Sequence, residues 1–164
     1  MGTKLLIILR GPTGVGKTKI SNILRIRLGI EKTFLLNLDQ VNPLEFNQSL
    51  QEAVKHDNVI GEMYYGNSHT TTPQEWLSHF NNYRKISIVL SASKETCYKR
   101  LNLPDREWKI SDFSCCHKLW KKFEDIQKSN IFASNAGIKE VTIDAEEMPN
   151  QIVDEIMNLL KNNY

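Results

Sequence analysis

The stretch Leu5-Leu6-Ile7-Ile8-Leu9-Arg10-Gly11-Pro12-Thr13-Gly14-Val15-Gly16-Lys17-Thr18 decides the fold. Its apolar run, Leu5 to Leu9, reads as a buried strand. The run stops at Gly11, where a Gly-x-x-x-x-Gly-Lys-Thr loop opens and feeds Ile20, Ile23, Leu24, Ile26 and Leu28 at helical spacing. The spelling has a chemical reason. Gly11, Gly14 and Gly16 lack a Cβ, so the backbone can curl with its N–H groups turned inward onto a polyphosphate. The first helical turn adds unpaired N–H groups and the positive end of its dipole. Lys17 is placed to neutralise the β- and γ-phosphates, and the Thr18 hydroxyl to ligate Mg²⁺. The run Gly11, Pro12, Thr13, Gly14, Val15, Gly16, Lys17 and Thr18 is therefore the candidate nucleotide site, with ATP and Mg²⁺ as the expected cofactors.

Outward from this loop, the first helix should run from Lys17 to Leu28 and end at Gly29. Thr33 to Leu38 reads as a second strand that delivers Asp39 at its C-terminal end, the end where open α/β sheets bind ligands. Asn42, Pro43 and Glu45 then spell a helix start, with Asn42 as cap and Glu45 closing a capping box, and that helix should reach Lys55. Asn58 to Met63 is a third strand, again with a carboxylate, Glu62, near its end. A turn-rich stretch, Tyr64 to Ser68, leads to a second capping box at Thr72-Pro73-Gln74-Glu75 and a helix with Trp76, Leu77 and Phe80 on one face. Ile86 to Leu90 is a fourth strand, followed by a helix over Ser93 to Leu101.

From Asn102 to Ser111 no period survives, and the stretch reads as a mobile loop. Phe113, Cys116, Leu119, Trp120, Phe123 and Ile126 then recur at helical spacing. Glu140 to Ile143 is the last strand. Pro149 opens a terminal helix on Ile152, Val153, Ile156, Leu159 and Leu160, with Asn158 to Tyr164 as its fraying end. Strands alternating with helices imply an α/β fold: a central parallel sheet of about five strands, helices on both faces, and a short lid at about 102–113.

The 164 residues suffice for one domain and fall short of two ordinary ones, so a single domain over 1–164 is expected. The 40% hydrophobic and 24% charged content suits a globular chain, and a net charge of +2 demands no polyanionic partner. The apolar N-terminal run is too short to span a bilayer and carries no secretory cleavage site, which points to the cytoplasm. Cys97, Cys115 and Cys116 fit neither a disulfide framework nor a zinc spacing, so reduced thiols are expected. His56, His69, His79 and His117 form no metal-ligand pattern. The run Lys118, Lys121 and Lys122, offset by Glu124 and Asp125, reads as a solvated helix face.

With these residues in place, the chain resembles the P-loop kinases of the nucleoside-monophosphate-kinase type over nearly its whole length. In that family an acidic residue ends the second strand, a Walker-B-like residue ends the third and an arginine-bearing lid follows the fourth. Asp39, Glu62, and Arg100 with Arg106 look like those places. The segment Phe34 to Asp39 most resembles the polynucleotide 5′-hydroxyl kinase, zeta-toxin and small-molecule kinase branch, in which an aspartate acts on an acceptor hydroxyl. Glu62 stands where the superfamily usually has Asp, Leu101 to Asp105 separate the two lid arginines, and no arginine follows Asp39.

The resemblance implies a phosphotransferase using ATP and Mg²⁺, with Lys17, Asp39, Arg100 and Arg106 catalytic and Thr18 with Glu62 at the metal. Each residue also has a plain reading. Asp39 is a general base or acceptor-orienting group facing the γ-phosphate from a strand near the first, or it caps the turn that follows. Glu62 orients Mg²⁺ or its waters, or it is a solvated strand end. Arg100 and Arg106 supply charge to the transferring phosphoryl group, or they lie on the surface. Asn135-Ala136-Gly137 lines the adenine or is a turn. The acceptor is a small hydroxyl-bearing metabolite, nucleoside or nucleotide; a nucleic-acid 5′ end has little support from the charge. Its pocket falls to the second and third helices, where Phe46, Tyr64, Tyr65 and Trp76 are candidates. Monomer and homodimer both remain open. Two rivals stand beside this reading. A GTP switch lacks its Asn-Lys-x-Asp motif, since Leu90 to Lys94 runs straight into a helix. A nucleotide-binding P-loop protein without a transfer substrate, an ATPase or decayed kinase, remains the alternative.

Overall fold

A computed structural model describes residues 3–64, 73–104, 113–129 and 136–162. Five strands form one parallel sheet: β1 (Lys4–Arg10), β2 (Thr33–Asn37), β3 (Asn58–Met63), β4 (Tyr83–Ser91) and β5 (Glu140–Asp144). Their spatial order is β2-β3-β1-β4-β5. Among the described residues the helices are α1 (Lys17–Leu28), α2 (Pro43–Ala53), α3 (Pro73–Leu77), α4 (Lys94–Leu101), α5 (Phe113–Ser129) and α6 (Pro149–Lys161). From β1 the chain crosses to β2 at one edge, comes back to β3 between the two, and then passes to β4 and β5 on the other side. The connections leaving the neighbours β1 and β3 thus run to opposite sides, and a crevice opens at their C-terminal ends, where the glycine loop lies.

The central strand β1 is apolar on both faces because both are covered. Leu5, Ile7 and Leu9 join one cluster with Ile20 and Leu24 of α1 and Ile152, Val153 and Ile156 of α6. Leu6 and Ile8 join the other with Phe46 and Leu50 of α2, Trp76 and Phe80. Three layers follow from those two burials. No described helix is long and apolar enough to cross a membrane.

The sequence boundaries of α1 and β3 stand, and other elements differ for local reasons. β4 begins at Tyr83, three residues before the apolar run, because Tyr83, Arg84 and Lys85 pair with Lys4, Leu5 and Leu6. The charged side chains hid a strand whose backbone is fully in register. α2 stops at Ala53, short of Lys55. At its start Asn42 Oδ1 accepts from the N–H groups of Leu44 (3.0 Å) and Glu45 (3.4 Å), as a cap should. The reciprocal half of the expected box is different: Gln40 Oε1, not Glu45, takes the Asn42 N–H, while Glu45 takes the side-chain amides of Asn42 and Gln40.

Past α3 the expected helix tightens into a 3₁₀ turn, Ser78–Phe80, and still buries Trp76, Leu77 and Phe80. Thr72 of its expected capping box lies outside the described residues. α6 stays helical to Lys161, so Asn158 to Lys161 is not a frayed end. On α5, Cys116 and Phe123 are buried, whereas Phe113 is exposed and meets the Tyr98 ring edge-on at 5.0 Å. The three cysteines are free thiols, with Cys115 exposed. Burial, with Cys116 nearby, pushes the Cys97 thiol up to about 12, which keeps it protonated and unreactive at neutral pH.

Candidate functional site

The loop between β1 and α1 curls where glycine permits it. Gly14 (φ +86°) and Gly16 (φ +111°) hold left-handed backbone. Gly14 also lies against α4: a Cβ there would stand 2.6 Å from the Cys97 carbonyl oxygen and 2.8 Å from Leu101. Val15 is buried and its N–H closes a turn onto the Pro12 carbonyl at 3.2 Å. α2 and α4 are capped by Asn42 and Ser93, but Gly16 has no side chain with which to cap α1. The first N–H groups of α1 thus face the loop's hollow, the arrangement that suits an anion.

Lys17 folds its ammonium back onto this loop, donating to the carbonyls of Gly11 (2.7 Å) and Pro12 (3.2 Å). It also stands 5.7 Å above the Tyr64 ring. Thr18, one residue on, donates from Oγ1 to Glu62 Oε2 at 2.9 Å. Glu62 is therefore not a solvated strand end; β3 is the neighbour of β1 and sets its carboxylate against the first turn of α1. Both are hard oxygen donors, the ligand type that Mg²⁺ takes, and they meet at the mouth of the loop. The donor set at Thr18 and Glu62 fits that ion, with phosphates and water to complete its shell.

Asp39 reaches the same edge differently from expectation. β3 lies between β2 and β1, so Asp39 is two strands from the loop, about 10 Å in sheet spacing, and not on an adjacent strand. A turn at Leu38 to Gln40 brings it back, and Asp39 Oδ2 accepts from the Tyr64 N–H at 2.7 Å. The turn's own N–H groups are served by others: Asn37 Oδ1 takes that of Asp39 and Gln40 Oε1 that of Asn42. Tyr64 is the residue that reading by pattern undervalued. Its N–H fixes Asp39, its ring underlies Lys17, and its hydroxyl donates to the Leu119 carbonyl on α5. Its position directly after β3, at the ligand edge of a parallel sheet, was the available signal. Phe46 and Trp76 are fully buried core residues and not acceptor-pocket walls. Tyr65 lies outside the described residues.

On the far side of the loop a cavity of about 390 Å³ opens, lined by Gly14, Gly16, Lys19, Arg100, Met148 and Pro149 among others. Arg100 spans it from below: Nη1 donates to the Val15 carbonyl at 2.8 Å and Nη2 to the Ala145 carbonyl at 2.7 Å. Its guanidinium is committed to those two backbone oxygens. Arg106 lies outside the described residues, as does the lid from 105 to 112. Glu146 fastens the same region, accepting from the Ser93 N–H (2.7 Å) and from Thr96 Oγ1 (2.6 Å). Those bonds, that of Thr96 foremost, hold its carboxyl below the usual range.

The turn at Ala136 and Gly137 precedes β5 and opens on a surface with Ser78 and Asn81, at the edge opposite the glycine loop. It is a plain turn there, and Asn135 lies outside the described residues. The stretch that walls the cavity is the one after β5, Ala145 to Pro149. The rule that parallel sheets bind at strand C-termini could have found it.

No protein-family model matches this sequence, and no curated protein is similar to it in sequence. Solved structures are similar in fold. A deoxyadenosine kinase from M. mycoides with bound dATP superposes with a TM-score of 0.66 at 19% identity, covering 96% of this chain and 100% of that one. A gluconokinase from Sinorhizobium meliloti 1021 gives 0.61 at 12% identity, with 100% of both chains covered. A shikimate kinase from Bacteroides thetaiotaomicron gives 0.60 at 13% identity, covering 96% of this chain and 98% of that one. The chain thus shares the α/β P-loop kinase-like fold of these structures. The narrower likeness to the polynucleotide 5′-hydroxyl kinase and zeta-toxin branch gains no support from these neighbours.

Proposed function

We propose that this chain is an ATP- and Mg²⁺-dependent phosphotransferase that moves a γ-phosphoryl group onto a hydroxyl or phosphate of a small metabolite, nucleoside or nucleotide. One observation carries the reading: Lys17, Thr18, Glu62 and Asp39, drawn from three separate strand ends, converge at one edge of the sheet around the glycine loop. The P-loop kinase fold of its structural neighbours agrees with it.

The loop N–H groups and the start of α1 cradle the phosphates. Lys17 exchanges the Gly11 and Pro12 carbonyls for the β- and γ-phosphate oxygens, which bind its charge more strongly. Thr18 and Glu62 hold Mg²⁺, which supplies positive charge to the phosphate oxygens as charge develops there. The cavity bounded by Arg100 and Met148 receives the nucleobase. Asp39, oriented by the Tyr64 N–H, takes the proton of the acceptor hydroxyl. The acceptor oxygen bonds to the γ-phosphorus as the bridging β–γ bond breaks, and ADP leaves with that electron pair. The chain works as one domain.

The test is incubation with γ-labelled ATP, Mg²⁺ and a panel of nucleosides, nucleotides, sugars and oligonucleotide 5′ ends. Label should pass to at least one acceptor well beyond hydrolysis. Tight nucleotide binding with transfer to none would overturn the transferase and leave a nucleotide-binding protein. With the acceptor found, Asp39→Asn should keep nucleotide affinity and lose transfer by about 10²-fold. Unchanged turnover in that variant removes Asp39 from the chemistry.

A further inference from the structure

Ser21 is completely buried, and it lies one helical turn after Thr18 on the same face of α1. A hydroxyl in the core costs free energy unless it is bonded, and alanine is the better helix former at such a site. Two acceptors surround it. The Thr18 carbonyl is 3.1 Å away, and Glu62 Oε1 is closer still. A serine has one proton to give, and a carboxylate at the shorter distance draws it more strongly than a peptide carbonyl.

The carboxylate of Glu62 is therefore gripped at both oxygens by one helix: Oε1 by Ser21 and Oε2 by Thr18. The two grips differ in kind. Thr18 is exposed at the mouth of the loop, where its oxygen can face an ion; Ser21, with no exposure, can touch neither ion nor nucleotide. Glutamate has one more rotatable bond than aspartate, so it has more rotamers to lose when it is held in place. Fixing Oε1 from the core leaves Oε2 pointing at Thr18.

We propose that Ser21 is a positioning residue for the metal shell, a buried hydroxyl that locks the longer Glu62 side chain so that its outer oxygen meets the ion held with Thr18. This rests on the functional reading above, in which Thr18 and Glu62 hold Mg²⁺. It predicts a defect in metal dependence and not in nucleotide contact.

The experiment measures affinity for a fluorescent ATP analogue, first in EDTA and then across a Mg²⁺ titration, and so needs no acceptor. Ser21→Ala should match the parent in EDTA. It should need about tenfold more Mg²⁺ for the half-maximal metal-induced change, as befits the loss of a charge-assisted bond. In a Glu62→Gln background the same substitution should change the Mg²⁺ midpoint little, because the partner it positions is already lost. An unchanged midpoint in Ser21→Ala overturns the proposal. So does an equal penalty in both backgrounds, which marks a local helix role. Should Ser21→Ala fail to fold, Ser21→Cys keeps the volume with a weak donor and is read the same way. A parent whose nucleotide affinity ignores Mg²⁺ overturns the functional reading and the role of Ser21 with it. A responsive parent with an unaffected variant overturns the role alone.

Discussion

Gly14 shows how much of the site hangs on single atoms. Its φ of +86° is a conformation that side chains resist, and the space where a Cβ would go is filled by the Cys97 carbonyl and Leu101. One methyl group must therefore push the loop off α4 and turn N–H groups away from the hollow. Gly14→Ala should cut affinity for Mg²⁺-ATP by at least tenfold in calorimetry, with the far-ultraviolet dichroism of the parent retained. Affinity within twofold of the parent would show that the loop does not need its seat on α4. Lys17 and Thr18 contrast with this glycine: they hold ordinary helical backbone and owe their place to sequence order alone.

At the scale of elements, α4 is the platform that the phosphate loop rests on. Arg100 ties α4 to Val15 and Ala145, and Glu146 ties the turn after β5 to the N-terminus of the same helix. The two ties fix the width of the cavity between loop and turn. Removing the Glu146 carboxylate should let that turn drift. Glu146→Ala should accordingly raise KM for ATP about tenfold while kcat changes less than twofold, since nothing at the transferring phosphate has moved. A fall in kcat with KM unchanged would contradict a part confined to the cavity wall. The sign of the pH effect follows from the depressed carboxyl: the tie is complete above the ordinary carboxylate range and lost as acid passes the lowered value.

Across the whole molecule, one buried polar cluster joins the elements that flank the site. Arg10, almost fully buried at the end of β1, pairs with Glu140 of β5 at 2.5 Å. Ser87 of β4 (2.7 Å) and Gln127 of α5 (2.7 Å) donate to the same carboxylate. Burial alone would raise the Glu140 carboxyl; the bonds from Gln127 and Ser87 and the Arg10 charge outweigh it and lower it. A depressed folded value adds stability that is fully present above the unfolded value and disappears as pH falls through the folded one. Glu140→Gln leaves the Arg10 charge buried without its counter-ion, so chemical denaturation at pH 7 should show a loss of about 3 kcal/mol. That deficit should shrink as acid passes the lowered Glu140 value, where the parent loses the same charge. A constant deficit across pH would show that packing around the amide, and not the ion pair, sets the cost.

What the sequence determined by itself was local: the glycine loop with Lys17 and Thr18, the limits of α1 and β3, and the alternation that makes a parallel α/β sheet. Each of these is set by residues within a turn or two of one another, through Cβ sterics, capping and apolar period. Tertiary structure decided what adjacency in space requires. It inserted β3 between β1 and β2, which put Glu62 on Thr18 and sent Asp39 round by a turn to the Tyr64 N–H. It drew Phe46 and Trp76 into the core and brought Arg100 beneath the loop. It placed the cavity wall after β5, while the turn at Gly137 went to the opposite edge. The order of strands in a sheet is fixed by which faces bury together and by the hand of the crossovers, and no short-range pattern encodes it.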